Sequence, residues 1–253
     1  MHASLPMYAL PALRDAHERY WALIRTALQA AGVSAPDALN QNGIGTAFWS
    51  APDLVFSQTC GMPYRTLLPR KVQIVGTPDY AVPGCAPGYY MSQLIKRRDD
   101  PRNTLREFAG ATVALNEYGS QSGFAALASA MQSAQITAGQ VRITGAHAAS
   151  IEAVADGVAD VAAIDAVTWR LLCAHHNAGA EVEAFAQTTP TPGLPYICSL
   201  SVDRQKVFDA VAAAINDLSQ ADKDLLMLRG LVHLGPDVYT AVPTPDPTVL
   251  TGP

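Results

Sequence analysis

Four times in this chain a short apolar run breaks into small polar residues and then into a segment with helical spacing. Asp53-Leu54-Val55-Phe56-Ser57 runs into Gln58-Thr59-Cys60-Gly61-Met62-Pro63-Tyr64. Ala111-Thr112-Val113-Ala114-Leu115 runs through Asn116-Glu117-Tyr118-Gly119-Ser120-Gln121-Ser122-Gly123 into the Ala- and Leu-rich stretch Phe124 to Met131. Val141 to Thr144 leads through Gly145-Ala146-His147 into a helical segment from Ala148 to Asp156. Val161 to Ile164 leads through Asp165 into another, through Trp169 to Ala174. Short, continuous apolar runs fit strands buried on both faces. Alternated with helices, they predict an α/β protein whose mostly parallel sheets carry helices on both sides.

The richest of these turns is Gly119 to Gly123. The first N–H groups of a helix have no intrahelical acceptor, and the helix dipole favours negative charge there. The hydroxyls of Ser120 and Ser122 add donors, so a small anion fits the loop. The same residues are also ordinary N-cap chemistry, and spacing alone leaves both readings open.

Composition narrows the function. Of the 253 residues, 49% are hydrophobic and only 15% charged, with a mean hydropathy of +0.10, which describes a packed core. The net charge of −5 argues against nucleic acid or an anionic membrane surface as partner, so an anionic ligand has to be held by local donors. No run approaches the ~18 consecutive apolar residues of a spanning helix. Met1 to Tyr8 shows neither a basic n-region nor a long apolar h-region, which points to a cytoplasmic start unless a leader has been removed. The cysteines Cys60, Cys85, Cys173 and Cys198 form no C-x-x-C pair, so a zinc site has little support; no metal and no cofactor are expected.

In chain order, Ala3 to Tyr8 reads as a first strand and Ala12 to Ala31 as an amphipathic helix stopped by Gly32. Thr46 to Ser50 reads as a short helix, Val72 to Gly76 as a buried strand and Tyr89 to Lys96 as an alternating one. Asn103 to Phe108 is a short helix capped by Asn103 or Thr104. Glu181 to Ala186 and Leu194 to Leu200 are strands, Asp203 to Leu218 and Ala221 to Arg229 helices, and Pro243 to Pro253 an irregular tail. The chain thereby divides into a first lobe (1–88, with 197–253 returning to it) and a second (97–190). Crossovers are expected at 89–96 and 191–199.

The order of motifs is similar to that of the solute-binding proteins of phosphate/phosphite/phosphonate ABC transporters. The matching pieces are Leu5-Pro6-Met7-Tyr8, Ser57-Gln58-Thr59-Cys60-Gly61, Pro83-Gly84-Cys85, Tyr90-x-Ser92, Ser120-Gln121-Ser122-Gly123, Gly145-Ala146-His147 and the run Val154 to Asp165. The resemblance implies a two-lobed type II periplasmic-binding fold that closes on a ligand by hinge motion. It also implies a non-catalytic, monomeric protein that captures a small oxyanion for an ABC transporter permease, and a periplasmic location. A cytoplasmic ligand sensor on the same fold is the alternative.

A tetrahedral oxyanion offers three acceptor oxygens. Ser120, Gln121, Ser122 and Gly123 match the family's Ser-x-Ser-Gly loop, with the N–H groups of Ser122 and Gly123 among the expected donors. Phosphonate binders of this family often carry threonine where Gln121 stands. His147 matches a family position; either tautomer offers a donor, and protonation would add charge. Asp165 either meets a proton or amino group on the ligand or caps the helix from Ala166. The other lobe is expected to contribute Tyr8, Thr59, Cys60, Gly61 and Tyr90, with Tyr64 a weaker candidate. Cys60 and Cys85 stand where related sequences tend to carry cysteine; they could pair in an oxidising compartment and would stay reduced in the cytoplasm. A thiolate at Cys60 with His147 or His175 as base is the enzymatic alternative.

Overall fold

The computed structural model describes residues 1–251, which form two compact units. The first comprises Met1–Tyr89 and Pro192–Ala241, the second Tyr90–Thr191 and Val242–Pro253. At the first two passages of the chain, Tyr89–Tyr90 pairs with Thr191–Pro192 in a two-stranded ladder.

The first unit is built on a five-stranded sheet in the order His2–Ala3, Leu54–Gln58, Tyr196–Ser199, Val72–Asp79, Gly230–Val232. Tyr196–Ser199 pairs antiparallel with both of its neighbours, which are therefore parallel to each other. It is buried along its whole length, as a strand sandwiched between two others and covered on both faces must be. The helix Arg14–Ala30 lays Ala16, Tyr20, Ile24 and Leu28 on one face at spacings of four, all buried, and Gly32 leaves it at φ +74°. Arg19 grips Asp222 through Nε (3.0 Å) and a terminal nitrogen (2.6 Å), a forked pair that holds the carboxyl below its usual pKa.

The second unit repeats the plan in the order Gln140–Ile143, Thr112–Leu115, Val161–Asp165, Ser92–Arg97, Val182–Gln187. Ser92–Arg97 is antiparallel to both neighbours, and the other four strands share one direction. The first unit has two antiparallel strands, Tyr196–Ser199 and the edge strand Gly230–Val232, whereas in the second only Ser92–Arg97 runs against the rest. The polar run after Ser92–Arg97 is satisfied internally. Buried Lys96 donates to the Asp100 carbonyl (2.6 Å) and Asn103 Oδ1 (3.1 Å), while Arg102 bridges Asp100 and Asp160.

Several sequence expectations change here. The first strand is confined to His2–Ala3, because Pro6 has no N–H to continue a ladder. The helix expected over Asn103 to Phe108 is a 3-10 turn, Leu105–Phe108, capped by Thr104, whose N–H donates to Glu107 Oε2 at 2.8 Å. The helix expected to reach Arg229 ends at Leu225, and the chain continues into the strand Gly230–Val232.

The tail is the largest difference. It is assigned to the second unit rather than the first, and Thr248–Thr251 forms a helical turn. The cause is one side chain: Leu250 is fully buried, and its carbonyl accepts from the Ala138 N–H at 2.6 Å. Gly252 and Pro253 lie outside the described residues. Leu250→Ala should lower the unfolding free energy by about 2–4 kcal/mol in urea titrations, the usual cost of truncating a buried leucine.

Candidate functional site

The strand Thr112–Leu115 ends at Asn116, and the chain turns through Ser120 in an extended conformation (φ −86°, ψ 130°) into a helix start. Ser120 Oγ accepts the Gly123 N–H at 3.0 Å, an N-cap bond. The first turn, Gln121–Ala125, is π-helical: the Ala125 N–H reaches back five residues to the Ser120 carbonyl at 3.0 Å. Such wide turns are frequent at functional sites. The regular helix Ala126–Ala134 follows.

Ser122 sits at the centre of a short network. Its Oγ lies 2.9 Å from His147 Nε2 and its carbonyl accepts the Ser92 hydroxyl at 2.9 Å. Ser120 Oγ lies 3.4 Å from Ser122 Oγ. Ser92 is itself held at both backbone groups by Thr188, whose Oγ1 accepts the Ser92 N–H at 2.9 Å and whose N–H donates to the Ser92 carbonyl at 3.0 Å. Gly123 has no room for a side chain, since a Cβ there would run into Asn116 Oδ1.

His147 opens the helix His147–Ala155, which the chain enters through Gly145 at φ +87°. Its Nδ1 is shielded from solvent and has no hydrogen-bond partner in the protein. Burial pushes its pKa down to about 4, so the ring is neutral at pH 7 rather than the added charge that protonation would bring. Asp165 ends the buried strand Val161–Asp165 and is itself 2% exposed; its Oδ1 accepts the N–H groups of Val167 (2.7 Å) and Thr168 (2.9 Å). The cap reading of Asp165 is thus realised. The register places it directly across from Ser92.

In the first unit, Tyr8 is buried and meets Tyr80 edge-on at 5.0 Å between ring centroids. Gln58 Nε2 donates to Tyr80 Oη at 3.2 Å and to the Leu194 carbonyl at 3.1 Å. The Thr59 N–H donates to the Pro195 carbonyl at 3.1 Å, and Cys60 is the extended N-cap of the helix Gly61–Leu67. Tyr64 packs edge-on to Tyr239 in a buried cluster with Trp49, Leu54 and Ile197. Tyr90, assigned to the second unit, is 3% exposed.

Among the described residues no disulfide joins Cys60 to Cys85 in this structure. Each of the two is fixed locally instead, Cys85 by its N–H to the Val82 carbonyl (3.0 Å) and Cys60 by its carbonyl accepting from Tyr64 (3.1 Å). No metal cluster of three or more ligating side chains occurs among the described residues.

Of the residues picked from sequence, Ser120, Ser122, Gly123 and His147 come together in the second unit. The Gly123 N–H, expected to face an anion, is engaged by Ser120. Sequence reasoning did not single out Thr188 or Tyr80, and it used Asn116, Gln58 and Ser92 only as members of a motif. Ser92 was the readable one: a small polar residue on an alternating strand, where packing alone would favour an apolar one.

Two helix-flanked sheets joined through the Tyr89–Tyr90 and Thr191–Pro192 segments, with a serine-rich helix start in the second unit, match the architecture of a solute-binding protein. The chain belongs to the ABC-transporter phosphonate periplasmic substrate-binding protein family, whose model matches residues 67–238. It is a solute-binding protein of ABC uptake with the two-lobed fold of that class. No curated protein matches it by sequence. Among solved structures it is similar to PhnD1 from Prochlorococcus marinus in complex with methylphosphonate, at 13% identity and TM-score 0.71 over 94% of each chain. A chloride-bound protein from Xanthomonas citri gives 14% and 0.71 over 94% of this chain and 92% of that one. A binding-protein component of an ABC phosphonate transporter from Pseudomonas aeruginosa gives 13% and 0.63, over 94% and 82%. No helix among the described residues is long and apolar enough to cross a membrane.

Two expectations follow from this geometry. The pKa of His17 is likewise pushed down to about 4 by burial. Above pH 6.5 neither histidine contributes to pH dependence. As pH falls from 6.5 towards 4 the unfolded chain takes up protons first, and stability declines. His147→Gln should remove one share of that decline, read as the difference between wild type and variant in urea unfolding at about pH 7 and about pH 4.5. Gly123→Ala should displace Asn116 and lower the melting temperature, measured by calorimetry.

Proposed function

We propose that this protein captures a small tetrahedral oxyanion of the phosphonate or phosphate type, with Ser120, Gln121, Ser122 and His147 as the binding face of the second unit. The carrying observation is the Ser122–His147 pair set over a π-helical helix start. A hydroxyl has one donor and two acceptor positions. With His147 Nε2 as its acceptor, Ser122 holds the imidazole in the Nδ1–H tautomer, and that N–H is the one without a protein partner. Ser120 accepts from Gly123 and keeps its own O–H as a donor. The N–H groups of Gln121 and Ser122 fall in the first turn, where no intrahelical acceptor exists.

These donors are neutral, so the anion's charge is met by dipoles at a helix start. The family and the methylphosphonate bound to PhnD1 support a phosphonate-like ligand. Tyr8, Thr59, Cys60, Gly61 and Tyr90 are the candidates to complete the site, and Tyr89–Tyr90 with Thr191–Pro192 the hinge. The protein acts as a periplasmic monomer that delivers its ligand to a transporter permease.

Thermal-shift titration with phosphate, phosphite, methylphosphonate, 2-aminoethylphosphonate and malate tests this reading. Methylphosphonate or a close relative should raise the melting temperature in a concentration-dependent way. Ser122→Ala should free the His147 ring from the Nδ1–H tautomer and so weaken that ligand about tenfold in Kd. An unshifted melting temperature with every phosphorus oxyanion would refute it.

A further inference from the structure

The first unit carries a cavity of about 490 Å³, lined by Tyr64, Arg70, Val72, Ile74, Arg204 and Pro236 together with Pro69, Gln73 and Thr240. It is remote from Tyr8, Tyr80 and Thr59. The strands Leu54–Gln58 and Val72–Asp79 run in the same direction, so Thr59 and Tyr80 sit past their ends at one edge of the sheet. The cavity opens at the other edge, on the first residues of Val72–Asp79. From Ile74 to Tyr80 is roughly 20 Å of extended chain.

The walls are preformed. Gln73 Nε2 is fixed to the carbonyls of Ser199 (3.0 Å) and Val202 (2.9 Å). Tyr64 is braced by the ring of Tyr239, whose hydroxyl bonds to Thr77 (2.6 Å) and to the Gly193 carbonyl (3.0 Å). The floor and sides are apolar, made by Pro69, Val72, Ile74 and Pro236. Arg70 and Arg204 supply the cationic groups, and neither has an ion pair among the described residues. Asp203, next to Arg204, is turned to its own helix, accepting from Gln205 (3.0 Å) and Lys206 (3.2 Å), and Asp237 stands on the same helix as Pro236 and Thr240.

Arg70 sits at φ +62°, a backbone region that side chains with a Cβ rarely adopt and where glycine or asparagine is the easier choice. A strained arginine lining a cavity is a clue to use rather than to folding.

We propose that this cavity binds a small organic anion, with a phosphate or carboxylate head between Arg70 and Arg204 and a flat apolar body against Tyr64, Val72 and Ile74. The volume falls in the range of small-molecule sites, and paired guanidinium groups over an apolar floor match an amphiphilic anion. An inorganic oxyanion satisfies only the head of this site. It is therefore a different ligand class from that of the Ser120–His147 loop, and its test does not depend on that loop binding anything.

Phenyl phosphate is the probe, titrated calorimetrically into wild type and into Ser122→Ala, which weakens the other candidate site. One equivalent should bind in both proteins. Binding should weaken about tenfold in Arg70→Ser and in Arg204→Ser, both replacements of exposed side chains, and inorganic phosphate should bind at least about tenfold more weakly than phenyl phosphate. Melting temperatures in buffer alone confirm that the arginine variants remain folded. Loss of all phenyl phosphate binding in Ser122→Ala overturns the proposal, as does unchanged affinity in both arginine variants. Binding of a glutamate-rich peptide without binding of phenyl phosphate overturns it too, in favour of a protein partner.

Discussion

The hydrogen bond from the Ser92 hydroxyl to the Ser122 carbonyl, 2.9 Å and buried, is the contact on which the candidate site depends. It joins two pieces of chain with different histories. Ser92 begins the strand inserted into the second unit, and Ser122 belongs to the helix start that carries the donors. A carbonyl in a first helical turn ordinarily accepts from four residues onward. In a wide first turn that pattern is broken, and a side chain from the neighbouring strand takes the acceptor instead. Thr188 holds the Ser92 backbone on both sides. The loop is thus positioned by the sheet rather than by its own residues, which is how a turn rich in glycine and serine can present donors at fixed places.

What it presents is notable for its lack of formal charge. In a protein of net charge −5, an anion gains nothing from long-range attraction, and the imidazole of His147 is kept neutral by burial. Hydroxyls, amide N–H groups and a neutral ring remain. Fixed dipoles in a site shielded from water require no reorganisation when charge arrives, and their worth rises as water is excluded. A charged histidine beside the loop would bind anions more strongly and discriminate less, because charge attracts every anion whereas directed donors favour an acceptor geometry.

Much of this architecture was legible in the residues. The buried strands and the helices after them follow from apolar runs and helical spacing, and Ser120 to Gly123 stands out because serines flank a glycine at a helix start. Other features were not legible, for identifiable reasons. Whether a strand is inserted antiparallel depends on where a distant segment pairs, which local pattern does not encode. The π-helical turn carries no local sequence signature, and its Ser122 carbonyl is met by Ser92, 30 residues away. The tail was misassigned because a single leucine among prolines carries no periodicity, yet Leu250 is fully buried. Tyr64 looked like a site residue from its place in the Thr59 motif, but a helix turn separates it from Cys60 and turns it towards Tyr239.

Asp165 shows why a residue type alone could not separate cap from ligand. A carboxylate at the end of a buried strand in an oxyanion-binding unit is an electrostatic problem in either role. Here its Oδ1 receives two helix N–H groups, so its negative charge rests on the positive end of the helix Ala166–His176. That arrangement offsets the charge locally and would reduce its repulsion of an anion at the proposed Ser120–Ser122 site. It also locks the strand end opposite Ser92, the residue that positions the loop. Capping and binding are therefore not competing assignments. By capping one helix, Asp165 stabilises the strand register that sets Ser92, and through Ser92 the geometry of the donors on another.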